Sequence, residues 1–260
     1  METTPGSLPT ESTSSAPGLA PGAALEPLAS PLPRSIPYWH TALLLFVLIA
    51  LSLINVKTGH GSSSGRSHIN IYLVTMIYEW LLTLFVFWSI RRSGLKIREL
   101  IGGRWETIED FLLDVAIGVG AWFGALILLA IAAQFIGMDH AGSLKDAQKQ
   151  LGFLAPHSAL EVSLWIALSA TAGFCEELIF RGYFQRQFTR LLRNRWIALL
   201  AVSMFFGLGH AYEGAQRMVL IAILGFVLGF VSLTRRSLRP AMMAHTAQDV
   251  VSGLILRALR

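Results

Sequence analysis

Long apolar runs, broken by short polar and basic stretches, dominate the chain after its first 37 residues. A bilayer's hydrocarbon core is crossed by about 20 apolar residues of helix. Tyr38 to Val56 supplies one such run and Asn70 to Ile90 a second. Phe111 to Ile136 is a third, with Asp114 as its only charge. Leu160 to about Gln185 is a fourth, and it contains Glu161, Glu176, Glu177 and Arg181. Trp196 to Ala211 is a short fifth, Met218 to Leu233 a sixth and Pro240 to Leu256 a seventh. The pattern predicts an all-α, polytopic transmembrane helix bundle of about seven spans, between six and eight. The stretch Met138 to Pro156 is expected to add a short amphipathic or re-entrant helix.

Composition supports a membrane solvent. Hydrophobic residues make up 53% of the 260 positions and charged residues 14%, where soluble domains carry about 25% charged. Mean hydropathy is +0.56. So few charges cannot cover a water-facing surface. Residues 1–37 differ: they hold eight of the ten prolines, mixed with Ser, Thr, Ala and Gly. A disordered tail is expected there, and residues 38–260 form the bundle. A single cysteine excludes an internal disulfide framework and a cysteine-based zinc finger.

The net charge of +5 changes the picture only through its placement. Thirteen basic residues, among them Arg34, Arg91, Arg186 and Arg235, fall on one side of the predicted topology and seven on the other. The positive-inside rule puts the N-terminus and the Arg-rich loops in the cytoplasm. The expected setting is the plasma (inner) membrane, with the lipid bilayer as partner. No basic helix with interleaved aromatics lies outside the apolar runs, so nucleic acid is not an expected partner. Gly225 and Gly229 form a G-x-x-x-G in the sixth span, which reads as close helix packing.

Ionisable residues at membrane depth cost about 2.5–3.5 kcal/mol each and are functional by default. In the fourth span Glu177 and Arg181 are i, i+4 and share a face, which predicts a desolvated ion pair beside the site. Glu176 points about 100° away from Glu177 on an ideal helix and is left without a local counter-charge. An unpaired carboxylate in a low-dielectric site suits general acid–base work. In the fifth span Phe206 and His210 lie one turn apart, with Gly207 and Gly209 between them. In the seventh, His245 and Asp249 are i, i+4, so Asp249 can accept the imidazole Nδ1–H and fix its tautomer. At 1.5 Å per residue the three clusters differ by about 12 Å in depth, so tilt or kinks must bring them level. Glu79, Asp114 and Glu161 are expected near span ends or in pairs between helices, with no functional role. Cys175 is not expected to act as a nucleophile, since it points about 100° away from Glu176.

Three motifs in order, E-E-x-x-x-R at Glu176 to Arg181, F-x-x-x-H at Phe206 to His210 and H-x-x-x-D at His245 to Asp249, resemble those of the CPBP intramembrane endopeptidases, the CAAX-processing and bacteriocin-processing (Abi) family. The similarity runs from Phe111 to Leu256, the expected catalytic core (111–256), and is strongest from Thr171 to Val250. It implies a helical bundle that hydrolyses a peptide bond of a membrane-associated protein or peptide, prenylated CAAX-like substrates being one class. It further implies that Glu176 and His210 activate water, while His245 and the residue four later stabilise the oxyanion. The family often has Asn where this chain has Asp249, and an ionised carboxylate cannot donate, so Asp249 is expected to act by polarising His245. A zinc ion, if used, would fall to Glu176, His210 and His245; the H-E-x-x-H helix of ordinary zinc proteases is absent, and a metal-free mechanism is preferred. A proton-linked transporter or a non-catalytic membrane scaffold are the alternatives. The first would need inverted repeats and broken helices, which the sequence does not clearly show, and the second leaves all four polar candidates without a purpose.

Overall fold

A computed structural model of the chain describes residues 36–58, 68–138, 148 and 151–259. Nearly all of the predicted tail and most of the stretch Met138 to Pro156 lie outside these residues. A 3-10 turn at Gly152–Leu154 occupies the described end of that stretch.

Every predicted apolar run is a helix, and no strand occurs among the described residues. Helix α1 spans Tyr38–Thr58, α2 His68–Arg92, the short α3 Ile97–Ile101 and α4 Ile108–Phe135. Helix α5 (Ala159–Glu177) continues through a π-helical segment, Leu178–Phe184, into α6 (Gln185–Leu192). Helix α7 is Arg195–Gly209, α8 Ala215–Arg235 and α9 Arg239–Ala258. The chain is an integral membrane protein with several apolar helices. Five helices are long and apolar enough to cross a membrane: α1, α2, α4, the α5–α6 rod and α8. Helix α7 has 15 residues, about 22 Å at 1.5 Å per residue, short of a core of about 30 Å. Helix α9 is long enough at 20 residues, but Arg239, His245, Gln248 and Asp249 lower its hydropathy. Those polar groups are the ones it turns toward its neighbours.

Local chemistry sets the helix ends. Thr107 accepts the Asp110 N–H at the start of α4. Ser158 and Glu161 form a capping box at α5. Asn194 accepts from Trp196 and Ile197 at α7, and Pro240 sits in the first turn of α9. Each cap satisfies orphan backbone donors. Glu161 therefore lies at a span end, as expected.

The basic loops come together at one end of the bundle. Arg186 donates to the Glu99 carbonyl at 2.9 Å, Arg190 to the Ile36 carbonyl at 2.9 Å, and Arg239 to the Gly103 carbonyl. Buried Asp114 accepts from Arg235 at 2.8 Å and from Trp105 at 2.9 Å, the pairing between helices that the sequence suggested. Gly102, at φ +106°, lets this loop press on Arg236 and Ser237 of the α8–α9 turn.

The core centres on the π-helical segment. Leu178, Ile179, Phe180, Tyr183 and Phe184 pack with Val202 and Phe206 of α7 and with Val86 and Ile90 of α2. Small residues permit the closest approaches. A Cβ on Gly225 would lie 3.0 Å from the Phe206 ring, and one on Gly229 would meet Leu199. The G-x-x-x-G of α8 is thus a packing seam against α7. On α5, a Cβ on Gly173 would be 3.0 Å from the Met242 carbonyl and would overlap Thr246. That contact draws α9 against α5, one turn before the paired carboxylates.

Candidate active site

Glu177 is the last residue of α5, and the widened π-helical turn begins immediately after it. Beyond the turn the Gln185 N–H reaches back five residues to the Phe180 carbonyl. Such π segments recur at functional sites in helices. Arg181 Nη1 donates to Glu177 Oε1 at 2.7 Å, both side chains being fully buried. The predicted ion pair is therefore present. Arg181 Nη2 also donates to the Gly225 carbonyl at 2.9 Å, and its guanidinium lies 4.3 Å from the Phe206 ring centroid. One arginine ties α5, α7 and α8 together at the core.

Glu177 has a second partner that helix-local reasoning missed. His245 Nδ1 of α9 lies 3.0 Å from Glu177 Oε1, the same oxygen that Arg181 holds. The expected Asp249 contact to Nδ1 does not form; Asp249 Oδ2 is 3.7 Å from Nε2 instead. Glu176 Oε2 is also 3.8 Å from Nε2. Nor is Glu176 without a counter-group, because α9 inserts its imidazole between the two adjacent carboxylates. Each carboxylate faces a different nitrogen of one ring. The 3.7 and 3.8 Å separations exceed hydrogen-bond length. Glu176 Oε2 is buried and makes no hydrogen bond among the described residues.

His210 caps the C-terminus of α7 rather than sitting inside it. Its Nδ1 is 2.9 Å from the Phe206 carbonyl. A carbonyl only accepts, so Nδ1 carries the hydrogen and the other nitrogen, Nε2, is the lone-pair side of the neutral ring. Phe206 packs against both histidines: its centroid is 5.1 Å from His210 and 5.8 Å from His245. This apolar ring joins clusters that the sequence kept separate, and its place in F-x-x-x-H was the signal for it. His210 acts electrostatically on Asp249 and on Glu213.

Glu213 and Tyr212 follow His210 in the α7–α8 connection (Ala211–Glu213), and no motif pointed to them. Burial holds the Glu213 carboxyl above its ordinary range, while His210 and Arg217 pull it back. Burial, then the Glu213 charge, pushes the Tyr212 phenol up. For a further carboxyl, Glu79, the sequence suggested a span end or a pair between helices. Glu79 makes a pair between helices instead of lying at a span end. It is buried near the middle of α2, with its carboxyl in hydrogen-bonding contact with that of Glu176.

Among the described residues, no three His, Cys, Asp or Glu side chains form a group that could hold a metal ion.

Cys175 is fully buried and lies against Thr83 of α2. A Cys175→Ser protein should retain wild-type cleavage in a peptide assay. A folded but inactive variant would revive a thiol mechanism.

Residues 158–251 match a family model described as Type II CAAX prenyl endopeptidase Rce1-like. The match covers every residue of the three motifs and lies within the expected core, so the family resemblance is borne out over that stretch. It supports a CAAX-type intramembrane endopeptidase in general. No curated protein and no solved structure matches the chain.

Proposed function

We propose that the chain hydrolyses a peptide bond near the C-terminus of a prenylated, CAAX-like protein or peptide, using Glu176, His210, His245 and Asp249 without a metal. The observation that carries this reading is the seating of His245: one nitrogen on Glu177, the other facing a gap bounded by Glu176 and Asp249. Glu176, with His210 Nε2, takes a proton from the attacking water as its oxygen bonds to the scissile carbonyl carbon. In its imidazolium form His245 donates from both nitrogens, so Nε2 can meet the oxyanion while Nδ1 stays on Glu177. A preorganised donor of this kind lowers a barrier by about 3–4 kcal/mol. When the tetrahedral intermediate collapses, the C–N bond breaks and the proton held by Glu176 or His210 passes to the leaving amine. The products are a carboxylate and a free amine. Asp249 Oδ2, facing Nε2, polarises His245 instead of donating itself.

The basic end of the bundle, built from the loops around Arg91, Arg186 and Arg235, supports a cytoplasmic placement of that end and of the N-terminus in a plasma (inner) membrane. The test is an assay of purified protein in liposomes. The probe is an internally quenched peptide ending in a farnesylated Cys-aliphatic-aliphatic-X sequence, assayed with and without chelator. Cleavage that persists after chelation is expected. Loss of cleavage restored by added zinc would overturn the metal-free mechanism, and proton flux without cleavage would replace the peptidase by a transporter.

A further inference from the structure

Glu79 is a buried carboxyl group at the site with no part in the reaction steps above. It lies in α2, eleven residues from its start and thirteen from its end, and is 6% exposed. Helices α2 and α5 run parallel, and their contacts follow in register. Tyr72 meets Trp165 at 5.6 Å between ring centroids, Trp80 meets Phe174 at 5.7 Å, and Thr83 lies against Cys175. This register sets Glu79 beside the turn of α5 that precedes Glu176, and the two carboxyl groups make hydrogen-bonding contact. The charged groups acting on Glu79 are acidic: Glu176 on α5 and Asp249 on α9. Among the described residues no lysine or arginine forms an ion pair with it.

Two carboxyl groups can hydrogen-bond only if one of them carries a proton, because an ionised carboxylate accepts and cannot donate. A Glu176 that removes a proton from water must be the acceptor. Glu79 is then the donor. The same bond fixes the orientation of Glu176. Glu176 Oε2 lies 3.8 Å from His245 Nε2, and a bond from the α2 side limits how far that carboxylate can turn. A freely rotating carboxylate would lose that aim, and small misplacements of a reacting group can cost about 10²-fold in rate.

From this we infer that Glu79 is a positioning residue which donates a hydrogen bond to Glu176 and holds its carboxylate toward the His245–Asp249 gap. The inference rests on Glu176 being the base of the proposed peptidase. It adds a fourth element to the site: α2 orients the carboxylate that α5 carries, while α7 and α9 supply the imidazoles.

The test uses the full chain in liposomes with the farnesylated peptide, reading kcat, KM and the thermal midpoint. Glu79→Leu removes the donor but fills an apolar space. It should keep the midpoint and KM while kcat falls about 10²-fold. Glu79→Gln keeps a donor at the same reach and should recover most of that loss. Glu79→Asp keeps the carboxyl but shortens the reach, so kcat should fall even if the leucine variant does not fold. Glu79→Leu or Glu79→Asp with wild-type kcat would overturn the inference. So would a Glu79→Gln protein as slow as the leucine variant, because an amide donor should serve. Glu176→Gln is measured alongside. If it retains full activity, the peptidase reading itself fails. If it is inactive while Glu79→Leu cuts normally, only the role of Glu79 is lost.

Discussion

A Glu176→Gln protein is expected to fold and to cleave its peptide about 10²–10⁴-fold more slowly than the wild type, the usual contribution of a positioned general base. The substitution is nearly isosteric, so the packing of α5 against α2 and α9 is undisturbed. It replaces a carboxylate in a low-dielectric bundle by a neutral amide, which is cheaper to bury. The amide keeps a carbonyl oxygen that can still accept from Glu79, and the gap beside His245 Nε2, 3.8 Å in the wild type, keeps its size. What is lost is a basic oxygen for the proton of water. Folding and catalysis therefore separate in this variant. The measurement is kcat for the liposome-reconstituted protein together with its thermal midpoint. A wild-type rate in a folded Glu176→Gln protein would end the assignment of Glu176 as base.

Glu177→Ala is expected to fail in a different way. Its carboxylate holds the Arg181 guanidinium at 2.7 Å, with the two side chains 0% and 2% exposed. Removing one partner leaves an uncompensated buried charge, which costs about 3–5 kcal/mol. Because Arg181 also holds the Gly225 carbonyl and lies over Phe206, the damage should spread to the α7–α8 contact. Expression and thermal midpoint should both drop sharply. Replacing both partners by neutral residues of similar size, Glu177→Gln with Arg181→Met, should recover much of the stability. Activity should stay low in that double variant, because His245 Nδ1 loses its carboxylate. A double variant that regains both stability and wild-type kcat would show that Glu177 only clasps Arg181 and does not orient His245.

The contrast between these variants shows how much of the site could be read from the chain. The Glu177–Arg181 pair was legible because both residues sit on one helix, and i, i+4 spacing survives the onset of the π-helical turn. The division of His245 between two carboxylates was not. On α9 alone Asp249 is the obvious partner for Nδ1, yet Glu177 takes that nitrogen because Gly173 lets α9 close on α5. His210 lies one turn from Phe206, as the spacing implies. Its position as a cap, and the packing of Phe206 against both imidazoles, depended on where α7 stops. Glu79 carried a usable signal, a lone carboxyl near the middle of a 25-residue apolar helix. It was discounted because no motif surrounds it.

By itself the sequence determined what each segment is. Its apolar runs require helices in a membrane, its basic loops gather at one end, and three short motifs name the groups able to do acid–base chemistry. These properties are local, fixed by hydropathy and by spacing along one helix. Only the tertiary structure decided which carboxylate faces which nitrogen, and that α2 contributes to the site. Such relations depend on how closely helices approach and at what rotation. Small residues such as Gly173, Gly225 and Gly229 set that approach through contacts across helices, which periodicity along a single helix does not encode.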